Sequence, residues 1–215
     1  MATNEVRRSP ARGRPRDEDR AARRDALLES AMRQFLSRGY SATTIEDVAA
    51  GARVAKRTIY TTIGDKEELF VAVVRRLGDR AVTATTGDSD DPVSLLHAFG
   101  VRLVRLMLSD EAVGLHRLVI GEAARFPELA ERHYMNGSHR YIGVLCDLLA
   151  ALPPGALVLP ADRNGHGLAA QAEALFTQWL GERHRRRLFG LDPAPSDDDI
   201  EKHVATVLQR FVRTA

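Results

Sequence analysis

Between residues 43 and 70 the apolar positions fall on one side of three consecutive short segments: Ile45, Val48 and Ala49, then Val54, Ile59 and Ile63, then Leu69 and Phe70. Spacings of three and four residues predict helices, here a short helix, a tight turn, a second short helix and the start of a third. The face left outward on the second helix is Lys56, Arg57, Thr58, Tyr60, Thr61 and Thr62. It is short, polar and basic, and suits base edges and phosphates in a DNA groove. Thr43 opens the first helix, with Glu46 three residues on as a capping box. Asp65 and Glu68 repeat that device ahead of the third helix, which the pattern carries to about Ala84.

The pattern is helical on both sides of this stretch. Ala26, Leu27, Ala31, Phe35 and Leu36 predict a helix over 19–38, with Gly39 as its C-terminal cap. The turn-rich TTGDSDD, from Thr85 to Asp91, marks a domain boundary. Beyond it the pattern predicts helices over 93–108, 112–124 and 128–152, the last disturbed at Asn136-Gly137. A long loop from Pro153 through Gly167 precedes helices over 168–188 and 197–214, with Ser196 capping the last. No β-alternation is long enough to demand a sheet. The expected fold class is all-α: a basic arm over 1–18, a three-helix helix-turn-helix domain over 19–84, and a larger helical domain over 91–215.

Composition supports a folded, water-facing protein, with 44% hydrophobic and 28% charged residues. No apolar run of about 18 residues predicts a transmembrane span, and the charged N-terminus is unlike an export signal. Cys146 is the only cysteine and sits in an apolar helical pattern, which suits packing in a reducing compartment. The expected location is the cytoplasm, with no membrane partner. The formal charge of +2 hides an asymmetry: residues 1–80 hold 17 Lys/Arg against 12 Asp/Glu, the remainder 14 against 17. Positive charge gathers around the candidate reading helix. The first 16 residues add Arg7, Arg8, Arg12, Arg14 and Arg16, interrupted by Pro10, Gly13 and Pro15. That reads as a disordered arm able to wrap phosphates or enter a minor groove.

Residues 24–74 resemble the DNA-binding domain of TetR/AcrR transcriptional regulators. The resemblance is carried by the leading amphipathic helix ending RGY, then TTIEDVA, then K-R-T-I-Y, then GDKEELF, spaced without a gap. Residues 115–134, LHRLVIGEAARFPELAERHY, and the later LFGLDPAPSDDDIEKHV are similar to the ligand domain of the AefR-like branch.

The resemblance implies a homodimer whose two heads read the half-sites of a palindrome in double-stranded DNA. The reading helix is then about Ala55 to Ile63, with Thr44 and Lys66 on phosphates and Arg57, Thr58 and Thr61 at base edges. Tyr60 is expected at the DNA backbone. Thr43 and Lys56 complete the set of DNA-facing candidates. Three residues depart from the family pattern. Arg53 stands where a glycine usually makes the turn, and a left-handed backbone there costs a non-glycine residue about 1 kcal/mol. A phosphate contact from its guanidinium is the expected offset. Ala55 replaces a serine cap, worth about 1 kcal/mol, and Ile63 replaces an aromatic.

The resemblance also implies a small-molecule pocket in the larger domain, for which Phe99, Leu103, Met107, His116, Ile120, Phe126, Tyr134, Tyr141 and Trp179 are the candidates. The apolar stripes suggest an apolar or aromatic effector. Dimerisation is expected through the last two helices as a four-helix bundle. Its stripes are Ala169, Ala172, Leu175, Phe176, Trp179 and Leu180, then Ile200, Val204, Val207, Leu208 and Phe211; an intramolecular core would use some of the same residues. The run from Arg183 to Arg187 reads as a charged helix end suited to the dipole. Two other readings compete. A constitutive DNA binder needs no effector, but the size of the second domain argues against it. A helical enzyme lacks support: no catalytic motif, phosphate loop or metal-ligand spacing of histidines occurs, and no cofactor, metal or catalytic residue is expected.

Overall fold

The structure, a computed structural model, describes residues 17–82, 91–158 and 166–213. Within them the chain forms ten helices and no strand; Leu157 and Val212 make an isolated bridge. Of the expected arm over 1–18, residues 1–16 lie outside the described residues and 17–18 begin the first helix; residues 85–90 of the Thr85–Asp91 boundary and much of the long loop also lie outside them. No single described helix is long and apolar enough to cross a membrane.

The N-terminal helices are α1 (Asp17–Ala42), α2 (Ile45–Ala52), α3 (Lys56–Thr62) and α4 (Lys66–Val82). Helix α1 buries Leu27, Leu28, Ala31, Met32 and Phe35 against α2 and α4. It does not stop at Gly39. That residue (φ 83°, ψ 168°) kinks the helix, and one more turn follows to Ala42. The extra turn shifts the next cap by one residue. Thr43, expected to begin α2, is buried and donates its hydroxyl to the Gly39 carbonyl at 2.8 Å. Thr44 is the actual N-cap, accepting from Asp47 N at 3.1 Å. The second capping box forms as the pattern requires: Asp65 Oδ1 accepts from the amides of Glu67 and Glu68, and Glu68 Oε2 accepts from Asp65 N.

The second half comprises α5 (Pro92–Met107), α6 (Asp110–Glu122), α7 (Pro127–Asn136), α8 (Ser138–Ala150), α9 (His166–Leu188) and α10 (Asp197–Leu208). The single helix expected over 128–152 is two, parted at Gly137. Helix α10 ends at Leu208, short of the expected Thr214, but Ser196 caps it as expected, accepting from Asp199 N. Helix α9 packs most extensively on α8, and α10 on α5. Those contacts consume the stripes assigned to a dimer. Ala172, Leu175, Trp179, Leu180, Ile200, Val204, Val207 and Leu208 are all buried within one chain. Gly100 makes room for this packing, since a Cβ there would lie 2.6 Å from the Trp179 ring.

Helix α9 breaks at Gly181 (φ 45°), which turns its last residues toward α6. Two members of the basic run are used there internally. Arg186 pairs with Asp192 through two bonds of 2.8 and 2.9 Å. Arg187 is buried and donates to the Leu108 carbonyl at the end of α5 and to Asp110. One continuous core runs through both halves, from Leu27 to Val212.

Candidate nucleic-acid interface and buried cavity

Helix α3 has seven residues and buries a single side chain, Ile59. A helix that short is not stable alone, so its packing through Ile59, with half-buried Val54 and Ile63 beside it, holds it in place. Everything else on it is presented outward. Lys56, Arg57, Thr58, Tyr60, Thr61 and Thr62 are exposed. The Arg57 guanidinium has no hydrogen bond or ion pair among the described residues. Lys56 pairs with Glu46 on α2 and lies over the Tyr60 ring at 5.7 Å. The Thr61 hydroxyl donates back to the Arg57 carbonyl at 2.9 Å and that of Thr62 to Thr58, bonds that a rotation exchanges for an external partner.

The turn carries the strain that its sequence implied. Arg53 sits at φ 56°, ψ 41°, the sole non-glycine residue with positive φ among those described. Its amide reaches the carbonyls of Ala49 and Ala50, closing α2, and its side chain is exposed. Ala55 is the N-cap of α3 and supplies no side-chain bond. The head therefore lacks two local stabilisers, each worth about 1 kcal/mol.

Three candidates are placed differently from the expectation. Thr43 is buried in the α1 cap and faces no partner outside the protein. Thr44 is exposed, but its hydroxyl is engaged twice by Asp47, accepting from the amide and donating to the carboxylate at 2.9 Å. Lys66 is half-buried: it donates to the Ser41 carbonyl at 3.2 Å and lies 4.4 Å from the centre of the Tyr40 ring. Burial lowers its pKa. Sequence reasoning also missed a set of cations. A groove of about 640 Å³ between α1 and the turn is lined by Arg20, Arg23, Arg24, Arg53, Ala55 and Thr58, among others. The signal was the RAARR run over residues 20–24, one helical face from the turn.

The pocket candidates divide into four groups. Phe99, Leu103 and Trp179 are completely buried in the core. Ile120 and Tyr134 point to solvent, 59% and 51% exposed, because they fall on the outer faces of α6 and α7. Phe126 stacks at the junction with the head. Only Met107, His116 and Tyr141 border a small cavity, which measures about 30 Å³ and is also lined by Val74, Leu77, Leu106, Ala112, Leu115, His133, Gly137 and Ser138. That volume holds about one or two waters.

His133 was not expected here, nor was His184. The rings of His116 (α6) and His133 (α7) have centroids 5.6 Å apart, and those of His116 and His184 (α9) 5.2 Å. Nδ1 of His116, Nδ1 of His133 and Nε2 of His184 are shut from solvent without a hydrogen-bond partner. Burial, reinforced by the neighbouring His116, pushes His133 and His184 down to about 4, and burial lowers His116 as well. All three are neutral at pH 7. Among the described residues no group of three or more His, Cys, Asp or Glu has metal-holding geometry.

The cavity wall is tied to the head. His133 lies 6.3 Å from Phe70, which belongs to an aromatic cluster with Phe35, Tyr40 and Phe126. At the end of α6, Glu122 accepts from Ser41 N at 3.1 Å and Ser41 Oγ at 3.0 Å, locking α6 to the last turn of α1.

Comparison with known proteins accords with this geometry. Residues 27–73 match the family of bacterial regulatory proteins of the tetR type, and residues 94–214 the C-terminal domain of AefR-like transcriptional repressors. The chain is 40% identical over 70 residues to the HTH-type transcriptional repressor ComR of Escherichia coli (strain K12), covering 33% of this chain and 31% of that protein. It is 32% identical over 123 residues to the HTH-type transcriptional regulator YdeS of Bacillus subtilis (strain 168), covering 57% of this chain and 59% of that one. With these relatives the matched stretch spans between 31% and 59% of their length. A TetR-family regulator from Mesorhizobium loti MAFF303099 has the same fold, with a TM-score of 0.66 at 24% identity over 89% of this chain and 98% of that one.

Proposed function

This chain belongs to the TetR family of transcriptional regulators, and from that premise we propose that it is a homodimeric repressor that leaves a palindromic operator when a small molecule enters its helical domain. The observation that carries the reading is the face of α3: six exposed polar or basic side chains on a helix fixed by one buried isoleucine. Arg57 is the base-reading residue, since a free guanidinium fits guanine bidentately and discriminates by about 1–3 kcal/mol. Thr58 and Thr61 flank it. Arg53 and the α1 arginines 20, 23 and 24 line one groove and supply phosphate contacts on the side of the turn. Thr44, Lys56 and Tyr60 reach the backbone from the other side, and Lys66 does so only by leaving Ser41. The protein works in the cytoplasm, where the bacterial chromosome lies.

The second copy docks on the outward face of α9 rather than on the buried stripes. Ala170, Ala174, Thr177 and Gln178 are exposed in helical register up to the break at Gly181, and the short side chains among them permit close helix approach. Two heads about 34–36 Å apart then meet successive major grooves.

Release follows from coupling. A ligand has to enlarge a cavity of about 30 Å³, and its walls include α6 and α7. Displacing α6 moves Glu122, and with it Ser41 and the end of α1. Ligand and operator then favour different positions of the head, so each weakens the other by the same factor.

Two measurements test the reading. Arg57→Ala should reduce affinity for the selected operator by about 10- to 100-fold and leave non-specific binding little changed. Equal loss on both would remove Arg57 from base reading. A protein that holds its operator at every ligand concentration in a screen of apolar and aromatic compounds would be a constitutive binder.

A further inference from the structure

We infer that the effector is an apolar molecule bearing a carboxyl group, received head-first by His116 and His133 with His184 behind them. This inference rests on the effector reading above and gives it a chemical class.

The rings of His116, His133 and His184 come together from α6, α7 and α9, the first two on the cavity wall, and one nitrogen of each is shut from solvent with no partner. Each buried, unmade bond costs about 1–3 kcal/mol. A single water offers two donors and two acceptors, and a space of about 30 Å³ leaves little room for more. The polar groups on the wall are His116, His133, the Ser138 hydroxyl and the Tyr141 hydroxyl. Every one of them can donate a hydrogen bond, while the wall presents no carboxylate, amide, lysine or arginine side chain. The remainder is Val74, Leu77, Leu106, Met107, Ala112 and Leu115. A wall of this composition takes an apolar body and asks for a head rich in acceptors.

A carboxylate meets that demand in a way an alcohol or amide does not. Its two oxygens accept from more than one ring at once, and its charge makes one imidazole basic enough to take a proton. The balance is one carboxylate, one proton from solvent and the neutral triad, giving a carboxylate hydrogen-bonded to one imidazolium. No bond other than N–H is formed.

The surroundings leave that proton to the ligand. Helices α4 and α5 present apolar side chains to the cavity, and α8 presents Ser138 and Tyr141, the latter pushed up to about 12 by burial and so neutral. Burial is the main cause that holds His133 and His184 neutral, and the titratable neighbour coupled to each is His116, itself neutral at pH 7. No acid of the protein competes for the imidazolium. Room for the ligand's body is found where the wall contains the break between α7 and α8 at Gly137.

Calorimetric titration of the full chain tests the inference, with 1-naphthoate and octanoate set against 1-naphthamide and octanamide. At pH 6 each acid should bind at least about tenfold tighter than its amide, the range of one charge-assisted hydrogen bond. Between pH 6.5 and 8 the acid's affinity should fall about tenfold per pH unit, since one proton enters with it; the amides should show no such slope. His116→Gln should abolish the slope while the melting temperature is retained, and His184→Asn serves if that variant does not fold. Acids that fail to bind, that bind no better than amides, or that bind without a pH slope overturn the inference, as does tight binding of zinc sulfate alone with none of the acids. If acids bind with proton uptake while the operator stays bound, the carboxyl site stands and the effector reading falls. If a neutral compound releases the operator and no acid binds, the reading stands and this inference falls.

Discussion

In α3 one buried side chain anchors seven residues whose chemistry faces outward, whereas at the meeting of α6, α7 and α9 three half-buried imidazoles each keep one ring nitrogen away from solvent. The reading head is built locally. Its turn, its missing cap and its exposed face all lie within residues 43–66. The histidine junction is assembled from positions 116, 133 and 184, which nothing short of the complete fold brings together. The α3 face keeps its donors at the surface and spends little core on itself. The histidine junction keeps ring nitrogens dry, where each bond made or missing weighs more.

The sharpest way to break this contrast is Ile59→Ala. Removing the lone anchor of α3 should cost about 2–5 kcal/mol in denaturant unfolding and abolish operator binding. A cost well under 1 kcal/mol would mean that the head is held by something other than its small core. The counterpart in the second half is Gly100→Ala, whose new methyl would press on Trp179 and Val204. It should cost about 1–3 kcal/mol, read by the same unfolding curve, while operator affinity at low temperature stays near wild type.

Smaller effects sharpen the comparison from the other side. Arg53→Gly relieves a left-handed arginine and Ala55→Ser restores a cap, so each should raise unfolding stability by up to about 1 kcal/mol. If neither does, the head is not locally strained. With Arg53→Gly, an unchanged operator affinity and salt slope would also remove the guanidinium from phosphate binding.

The last prediction concerns pH and belongs to the junction, since residues 17–82 contain no histidine. His133 and His184 lie near 4 in the fold, below the ordinary value of about 6.5. The unfolded chain therefore takes up protons first as pH falls. Stability should be flat above about pH 6.5 and decline from there toward pH 4. His133→Phe should flatten part of that decline in a melting-temperature series; an unaltered slope would place its cause elsewhere.

The same contrast explains what the sequence revealed. Helix periodicity, the Asp65–Glu68 and Ser196 caps and the outward face of α3 depend on neighbours within a few residues, and they were legible. So were the irregularities at Arg53 and Ala55. The cap at Thr44 was missed by one position because Gly39 bends α1 instead of ending it, and the added turn claims Thr43. An apolar stripe states that a face is buried, not against what, so α9 and α10 read as a dimer seam while they pack on α8 and α5. Phe99, Leu103 and Trp179 failed as cavity residues for that reason. No spacing rule links three histidines on three separate helices, and none was available to find them.

The bond between Glu122 and Ser41, with Phe126 packed edge-to-face on Tyr40, bears on anyone who would recombine such regulators. Chain order invites a cut after α4, so that reading heads are exchanged like interchangeable parts. Packing places the seam elsewhere, between α1 and the end of α6. A foreign head grafted onto this body must also present a serine amide and hydroxyl to Glu122 and an aromatic ring to Phe126, or it arrives without the contacts that hold α1 to the end of α6 here.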